Sequence, residues 1–514
     1  MRASEEGAMP TARGTVEPTT TIGAIDRRVF GSFVEHLGRC VYTGIYEPSH
    51  PTADADGFRA DVLALVKELG VTAVRYPGGN FVSGYRWEDG VGPVEGRPRR
   101  LDTAWHTIET NEVGLLEFTR WLERVGAEPM LAVNLGTRGV QEALDLLEYC
   151  VIDSGTALSD LRATHGRREP IRAKVWCLGN EMDGPWQLGH MSAEQYGIKA
   201  ASTAHAMKLI DPDLELVACG SSARSMPTFG AWERTVLEHT YEHVEFISCH
   251  AYYWERDGDL ASFLASPVDM EGFIAEVIEA VDEIKAAKGS DKTISLSFDE
   301  WNVWYLTRHM EQEAITGIDN WPIAPRLLED QYSVADAVVV GGLLIALLKH
   351  ADRVRAACLA QLVNVIAPIM TEPGGAAWKQ TTFFPFALAS RLARGEALRV
   401  PIACDAVETE RYGTVPVVDA VATRDLEAGT GALFLVNRSV TESIEVAVDV
   451  SALDATVLTE ALTLADEDPY AANTKDDPER VGMTTNASAA LVDGTLTVTL
   501  PPVSWTALAF ATSA

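Results

Sequence analysis

Long apolar runs are missing from this chain. The longest uninterrupted one, Ala337 to Leu348, has 12 residues, short of the ~18 that a membrane-crossing helix needs. Basic residues are scarce: 42 Lys+Arg stand against 74 Asp+Glu in 514 residues, a formal charge of 42 − 74 = −32. That imbalance excludes a nucleic-acid partner, whose phosphates call for clustered Lys and Arg, and it sets the chain against an anionic membrane surface. The start, Met1-Arg-Ala-Ser-Glu-Glu, has neither a basic stretch nor an apolar core segment. No signal peptide is therefore expected, and the chain reads as cytoplasmic. CxxC and HExxH are absent, so no metal site is expected. Cysteine is sparse and odd in number, at Cys40, Cys150, Cys177, Cys219, Cys249, Cys358 and Cys404. The apolar flanks of Cys177, Cys219, Cys249 and Cys358 point to buried free thiols in a reducing compartment. Asn437-Arg-Ser and Asn486-Ala-Ser match a glycosylation signal, and without secretion they read as chance.

What is present is a large apolar fraction, 47%, which excludes disorder as the main description. At ~150 residues per domain the length predicts two or three domains, though an α/β barrel alone can exceed ~250. Eight short apolar runs recur: 29–35, 71–76, 129–134, 174–178, 214–219, 244–248, 293–298 and 354–362. Stretches of helical period separate them. Alternating βα units predict a parallel sheet, and eight of them predict a closed (β/α)8 barrel. A doubly wound sheet is the alternative, but its Gly-rich turn is absent after the first run. Beyond about residue 395 the helical period gives way to short alternating strands with turn residues between, which predicts a β-sandwich.

Barrel enzymes carry their chemistry where strands end and βα loops begin. The strand ends here read Glu35-His36, Arg75-Tyr-Pro-Gly-Gly-Asn80, Gly179-Asn180-Glu181, His250-Ala-Tyr252-Tyr253-Trp254, Asp299-Glu300-Trp301-Asn302-Val303-Trp304 and Gln361-Leu-Val-Asn364. Glu181 and Glu300 end runs four and seven, on nearly opposite sides of a barrel mouth. Two carboxylates facing across a cleft suit glycoside hydrolysis, one as proton donor and one as nucleophile. Trp176, Trp186, Trp254, Trp301, Trp304 and Trp321 lie in or near these ends. Sugars offer apolar CH faces to such rings, and their hydroxyls need forked partners of the kind Asn80, Asn180 and Gln361 supply.

The segments Gly31-Ser-Phe-Val-Glu-His-Leu-Gly-Arg-Cys-Val-Tyr-Thr-Gly-Ile-Tyr46, Val74-Arg-Tyr-Pro-Gly-Gly-Asn-Phe81, Cys177-Leu-Gly-Asn-Glu-Met-Asp-Gly-Pro-Trp186 and Phe298-Asp-Glu-Trp-Asn-Val-Trp-Tyr305 resemble the α-L-arabinofuranosidases of glycoside hydrolase family 51. The resemblance begins near residue 22 and reaches the C-terminus. It implies a TIM barrel over 28–394 and a jelly-roll-like all-β sandwich over 395–514, with residues 13–27 adding a strand to the sandwich. Residues 1–12 match nothing and read as a leader. It also implies Glu181 as acid/base and Glu300 as nucleophile. Glu35, Asn80, Asn180, Tyr252 and Gln361 match sugar-binding positions, Trp304 the pocket rim, and Arg75 and His250 groups that orient the carboxylates. The implied reaction is retaining, exo-acting removal of terminal non-reducing α-L-arabinofuranosyl residues from fragments such as those of arabinan and arabinoxylan. It requires no metal or organic cofactor, and the implied assembly is a homohexamer. An endo-acting glycanase of the same clan and a non-catalytic carbohydrate-binding protein are the rival readings. The 23 or so residues from Leu306 to Leu328 exceed the ~12–15 typical of unstructured loops, which predicts a wall of the pocket.

Overall fold

The computed structural model describes residues 9–513 apart from Pro18 and Thr20. The expected leader therefore lies outside the described residues through Ala8. Eight parallel strands close a barrel: β1 (Gly31–Phe33), β2 (Ala73–Tyr76), β3 (Glu128–Val133), β4 (Val175–Leu178), β5 (Glu215–Ala218), β6 (Phe246–Tyr253), β7 (Ser295–Val303) and β8 (Val354–Ala360). Closure comes from β8 against β1, with Leu359 opposite Ser32. Most of these strands are buried on both faces, which is why they appear in the sequence as unbroken apolar runs. Phe33, Met130, Ala132, Val175, Cys177, Val217, Phe246, Ala356 and Cys358 fill the barrel interior.

The sixth and seventh strands depart from the expected lengths. The apolar runs stop at Ser248 and Phe298, yet β6 and β7 continue to Tyr253 and Val303. Their polar ends pair with each other, His250 opposite Glu300 and Tyr252 opposite Asn302. Each buried charge finds its partner across the strand boundary, so the strands survive where hydropathy alone would end them.

The long apolar run is the helix Val334–Leu348, capped by Ser333 and buried along its whole length. It is wedged between the barrel and the strands Thr430–Asn437 and Ser504–Thr512, so it has no polar face to show. No helix among the described residues is long and apolar enough to cross a membrane. The strand Thr430–Asn437 is likewise buried on both faces: Leu433 and Leu435 point into the sandwich core, Phe434 and Val436 toward the helix.

The C-terminal part forms a five-stranded and a seven-stranded sheet. The N-terminal segment joins both. Thr11–Thr15 runs parallel to Ile444–Asp449, and Thr21–Ala24 runs antiparallel to Glu396–Arg399. The first of these begins at Thr11 and buries Ala12 in the sandwich core, so Thr11 and Ala12 do not belong to a leader. Their partner strand lies at the far end of the chain, and so short a segment carries no local signal of that pairing.

Candidate active site

The turn after β4 sets the first carboxylate. Gly179 takes φ 92° and Glu181 φ 44°, a left-handed conformation that a residue with a side chain seldom adopts. The Gly184 N–H closes the turn on the Glu181 carbonyl at 2.9 Å. The Glu181 carboxyl is then held on both oxygens, Oε1 lying 2.9 Å from His250 Nδ1 and Oε2 accepting from Trp186 Nε1 at 2.7 Å.

On β7, Asp299 and Glu300 are consecutive, and alternation would send them to opposite faces. The register against β8 breaks between Phe298 and Trp301, and such an irregularity re-aims side chains. Both carboxylates reach the same buried cluster. Glu300 Oε1 accepts from Arg75 Nη1 at 2.7 Å and Oε2 from the Tyr252 hydroxyl at 2.7 Å. Asp299 Oδ1 lies 2.9 Å from His250 Nε2. Arg75 forks, its Nη2 donating to Asn180 Oδ1 at 2.7 Å. One oxygen of Glu181, one of Glu300 and a ring nitrogen of His250 lie within 4.8 Å of one another.

The remaining sequence-identified residues gather round this pair. Glu35, at the end of β1, accepts from the Phe81 N–H at 2.8 Å, from Gln361 Nε2 at 3.1 Å and from Trp105 Nε1 at 3.0 Å. A Cβ on Gly78 would stand 2.6 Å from Glu35 Cγ, and one on Gly79 would stand 2.8 Å from Glu300 Oε1. Only glycines let the chain pass this closely, and they deliver the half-buried Asn80 beside the carboxylates. Trp304 packs edge-on against Tyr252, 5.1 Å between ring centroids.

Burial pushes the Glu300 carboxyl above the ordinary range, and the Glu181 charge adds to that, while His250 and Arg75 oppose it. Burial alone would lower His250, but the Glu300 charge and the hydrogen bonds to Asp299 and Glu181 outweigh it and raise it to about 10. Asp299 is held low because Arg75 and His250 overcome its own desolvation. Burial, with Glu300 adding, pushes Glu35 up to about 8. Glu181, His250 and Glu300 are the metal-ligand-type side chains that converge among the described residues. Both nitrogens of His250 lie 2.9 Å from carboxylate oxygens, and the imidazolium that its raised pKa favours donates from both.

Sequence reasoning missed Trp105, Asp299 and Gln187. Trp105 sits on a hairpin, Arg100–Asp102 with Thr107–Glu109, that hydropathy does not reveal. Asp299 reads in the sequence as part of the strand end beside Glu300, with no role of its own. Gln187 donates to Ser83 Oγ and lies 3.5 Å from Asn180 Nδ2. Two of the six tryptophans, Trp176 and Trp301, are fully buried core residues away from the pocket wall. Trp186 is half exposed beside Glu181. Trp254 lies under the Arg256 guanidinium, and Trp321 stacks on His106.

Residues 65–259 match the Alpha-L-arabinofuranosidase 1 domain, and residues 299–504 match the Alpha-L-arabinofuranosidase C-terminal domain. The chain is 60% identical over 502 residues to an intracellular exo-α-(1→5)-L-arabinofuranosidase of Streptomyces lividans, spanning 97% of this chain and 75% of that one. It is 57% identical over 514 residues to an exo-α-(1→6)-L-arabinofuranosidase of Bifidobacterium longum, spanning 98% of each. Its fold matches AbfB, a family 51 α-L-arabinofuranosidase from Bifidobacterium longum, with TM-score 0.94 and 53% identity over 98% of this chain and 100% of that one.

Proposed function

Because this chain belongs to the α-L-arabinofuranosidases of glycoside hydrolase family 51, we propose that Glu181 is its acid/base and Glu300 its nucleophile. The enzyme is an exo-acting glycosidase that removes terminal non-reducing α-L-arabinofuranosyl groups. It works inside the cell, as several of these relatives are named to do. The observation that carries the retaining reaction is the pair of carboxylate oxygens within 4.8 Å, bridged by His250, and family likeness assigns the two roles. Retaining glycosidases hold their carboxyls ~5–5.5 Å apart, whereas inverting ones need ~6.5–9.5 Å to admit water.

Charge counting leaves one proton for the two glutamates: Arg75 and a protonated His250 balance two of the three carboxylates Glu181, Asp299 and Glu300, and family likeness gives that proton to Glu181. Glu300, its carboxylate form favoured by His250, Arg75 and Tyr252 against the cost of burial, attacks the anomeric carbon. The bond from that carbon to the leaving oxygen breaks as Glu181 gives the oxygen its proton. Glu181 then takes a proton from water, the hydroxide attacks the same carbon, and Glu300 departs with the electron pair of its ester bond. Asn180, oriented by Arg75, addresses the sugar's 2-hydroxyl. Glu35, Asn80 and Gln361 receive the other hydroxyls, and Tyr252 and Trp304 wall the ring. Rates on 4-nitrophenyl α-L-arabinofuranoside beside the β-D-xyloside and β-D-glucoside test this reading. A preference for either pyranoside would overturn it, and release of internal fragments from an arabinan oligosaccharide would favour an endo-acting enzyme.

The assembly we infer is a homo-oligomer, a hexamer by family likeness. Met310, Ile318 and Ile323 are exposed by 69%, 88% and 45% on the segment after β7, apolar side chains that an interface would cover. It has to outweigh repulsion from −32 charges per chain. Light scattering that returned a 55.7 kDa particle at micromolar concentration would remove this part.

A further inference from the structure

His309 stands at the middle of an aromatic arc round the pocket mouth. Tyr252, bonded to Glu300, packs on Trp304; Trp304 lies 6.0 Å from His309, and His309 lies 6.1 Å, edge-on, from Trp105. Trp105 returns to a carboxylate by donating to Glu35. The arc thus begins on Glu300 and ends on Glu35, and His309 neither bonds one of these carboxylates nor has a task in the mechanism.

Its position is fixed from several sides. Tyr305, where the segment leaves β7, is pinned through its N–H to Asp330 Oδ2 at 3.0 Å and through its hydroxyl to Asp336 Oδ1 at 2.8 Å. His309–Glu313 is one wide π-type turn, a geometry that recurs at functional sites. Glu313 pairs with Arg308 at 3.0 Å and accepts the Leu328 N–H at 3.1 Å. Farther along, the segment is fastened to the hairpin that carries Trp105. His106 stacks on Trp321 at 3.7 Å, His106 Nε2 lies 2.8 Å from the Gly317 carbonyl, and the Ile108 N–H donates to the Pro322 carbonyl at 3.0 Å.

The ring's two nitrogens are not equivalent. Nδ1 is sealed from water with no hydrogen-bond partner, whereas Nε2 is not among the sealed atoms. A proton on Nδ1 would be a buried donor without an acceptor, which folded proteins avoid. The neutral ring therefore carries its proton on Nε2. Imidazolium would need both protons, and burial, opposed by Glu313, lowers the histidine below its ordinary value. His309 Nε2–H is then a donor carried between Trp304 and Trp105.

We propose that His309 is a specificity-determining residue whose Nε2–H donates to a hydroxyl of the sugar on the leaving-group side. The enzyme then recognises a carbohydrate leaving group by a hydrogen bond that an aryl group cannot accept. This rests on the arabinofuranosidase reading, and two substrates separate the two. 4-Nitrophenyl α-L-arabinofuranoside reports the terminal sugar and the glutamates, and α-(1→5)-linked arabinobiose adds the hydroxyl-bearing leaving group. His309→Phe keeps a ring in the arc and removes the donor, and His309→Gln restores a donor. The Phe variant should lose about tenfold in kcat/KM on arabinobiose, the worth of one hydrogen bond, while staying within about twofold on the aryl substrate. The Gln variant should recover part of the loss. Equal loss on both substrates would make His309 a packing residue and overturn the proposal, as would an unchanged rate on arabinobiose. A wild-type enzyme inactive on the aryl arabinofuranoside would instead sink the underlying reading.

Discussion

In the sandwich, Leu433, Leu435, Val446, Val448, Leu496 and Val498 meet from two sheets in an apolar core. At the barrel mouth, Arg75, His250, Glu181, Asp299 and Glu300 are equally well buried, yet they form one charged, hydrogen-bonded group. The sandwich gains stability from removing apolar area from water. The mouth takes charges out of water, which is unfavourable unless each is matched, and the same desolvation is what makes a proton donor and a nucleophile reactive a few ångströms apart. The left-handed Glu181 and the register break on β7 belong to the mouth. The strand Ile444–Asp449 keeps its register opposite Thr495–Leu500 without a break.

Exchanging residues between these two kinds of burial should have opposite consequences. The largest effect is expected for Glu300→Ala, which removes the proposed nucleophile and leaves Arg75 and Tyr252 without their carboxylate partner. Its kcat should fall by more than about 10⁴-fold on aryl and alkyl arabinofuranosides alike. Any azide rescue should give the arabinosyl azide of inverted configuration, identified by NMR. Glu181→Ala should be gentler and selective. A 2,4-dinitrophenyl leaving group needs no proton, so formation of the glycosyl-enzyme should persist, while activity on an alkyl arabinofuranoside is lost. Azide should speed the second step and yield the α-azide. The reverse pattern in the two variants would exchange the acid and nucleophile roles.

How much of this could be read from the chain follows from the same contrast. Wherever hydropathy governs, the sequence is transparent: the eight barrel runs and the alternation of Ile444–Asp449 all show as pattern. Asn180-Glu181 and Asp299-Glu300 are visible too, because polar residues directly after an apolar run are conspicuous in a barrel. What stays hidden depends on partners distant in sequence. Trp105 joins the pocket because a hairpin without apolar alternation swings it onto Glu35. The ends of β6 and β7 are strand only because His250 and Glu300 face each other. Trp176 and Trp301 are adjacent to pocket residues yet fully buried away from them, and composition cannot separate them from the half-exposed Trp186.

The sandwich side of the comparison is tested by stability. Leu433 is fully buried in the sandwich core, so Leu433→Ala should cost about 2–5 kcal/mol of unfolding free energy, from lost transfer plus a residual cavity. Kinetics on the aryl arabinofuranoside at 25 °C should stay unchanged while the protein is folded. A fall in kcat with the protein still folded would show that the sandwich tunes the mouth and that the two regions are not independent.

The smallest effect is expected on the segment after β7. Trp321 touches neither glutamate. It is half-buried, its indole N–H goes to the Ile318 carbonyl at 2.8 Å, and its ring lies on His106 with 18° between planes. Trp321→Ala therefore acts through the hairpin, by loosening the hold on Trp105 and His309. An aromatic pair of this type is worth about 0.5–1 kcal/mol beyond its buried area, so kcat/KM should fall about two- to fivefold. His106→Ala removes the other half of the same contact and should cost a similar amount. The double variant should then be no worse than either single one, since additivity fails for residues that share a contact. Unaltered kcat and KM for Trp321→Ala would mean that the segment is a surface insertion with no part in the pocket wall. Additive losses in the double variant would mean that His106 and Trp321 act on the mouth separately, and the segment would then be a wall without a latch.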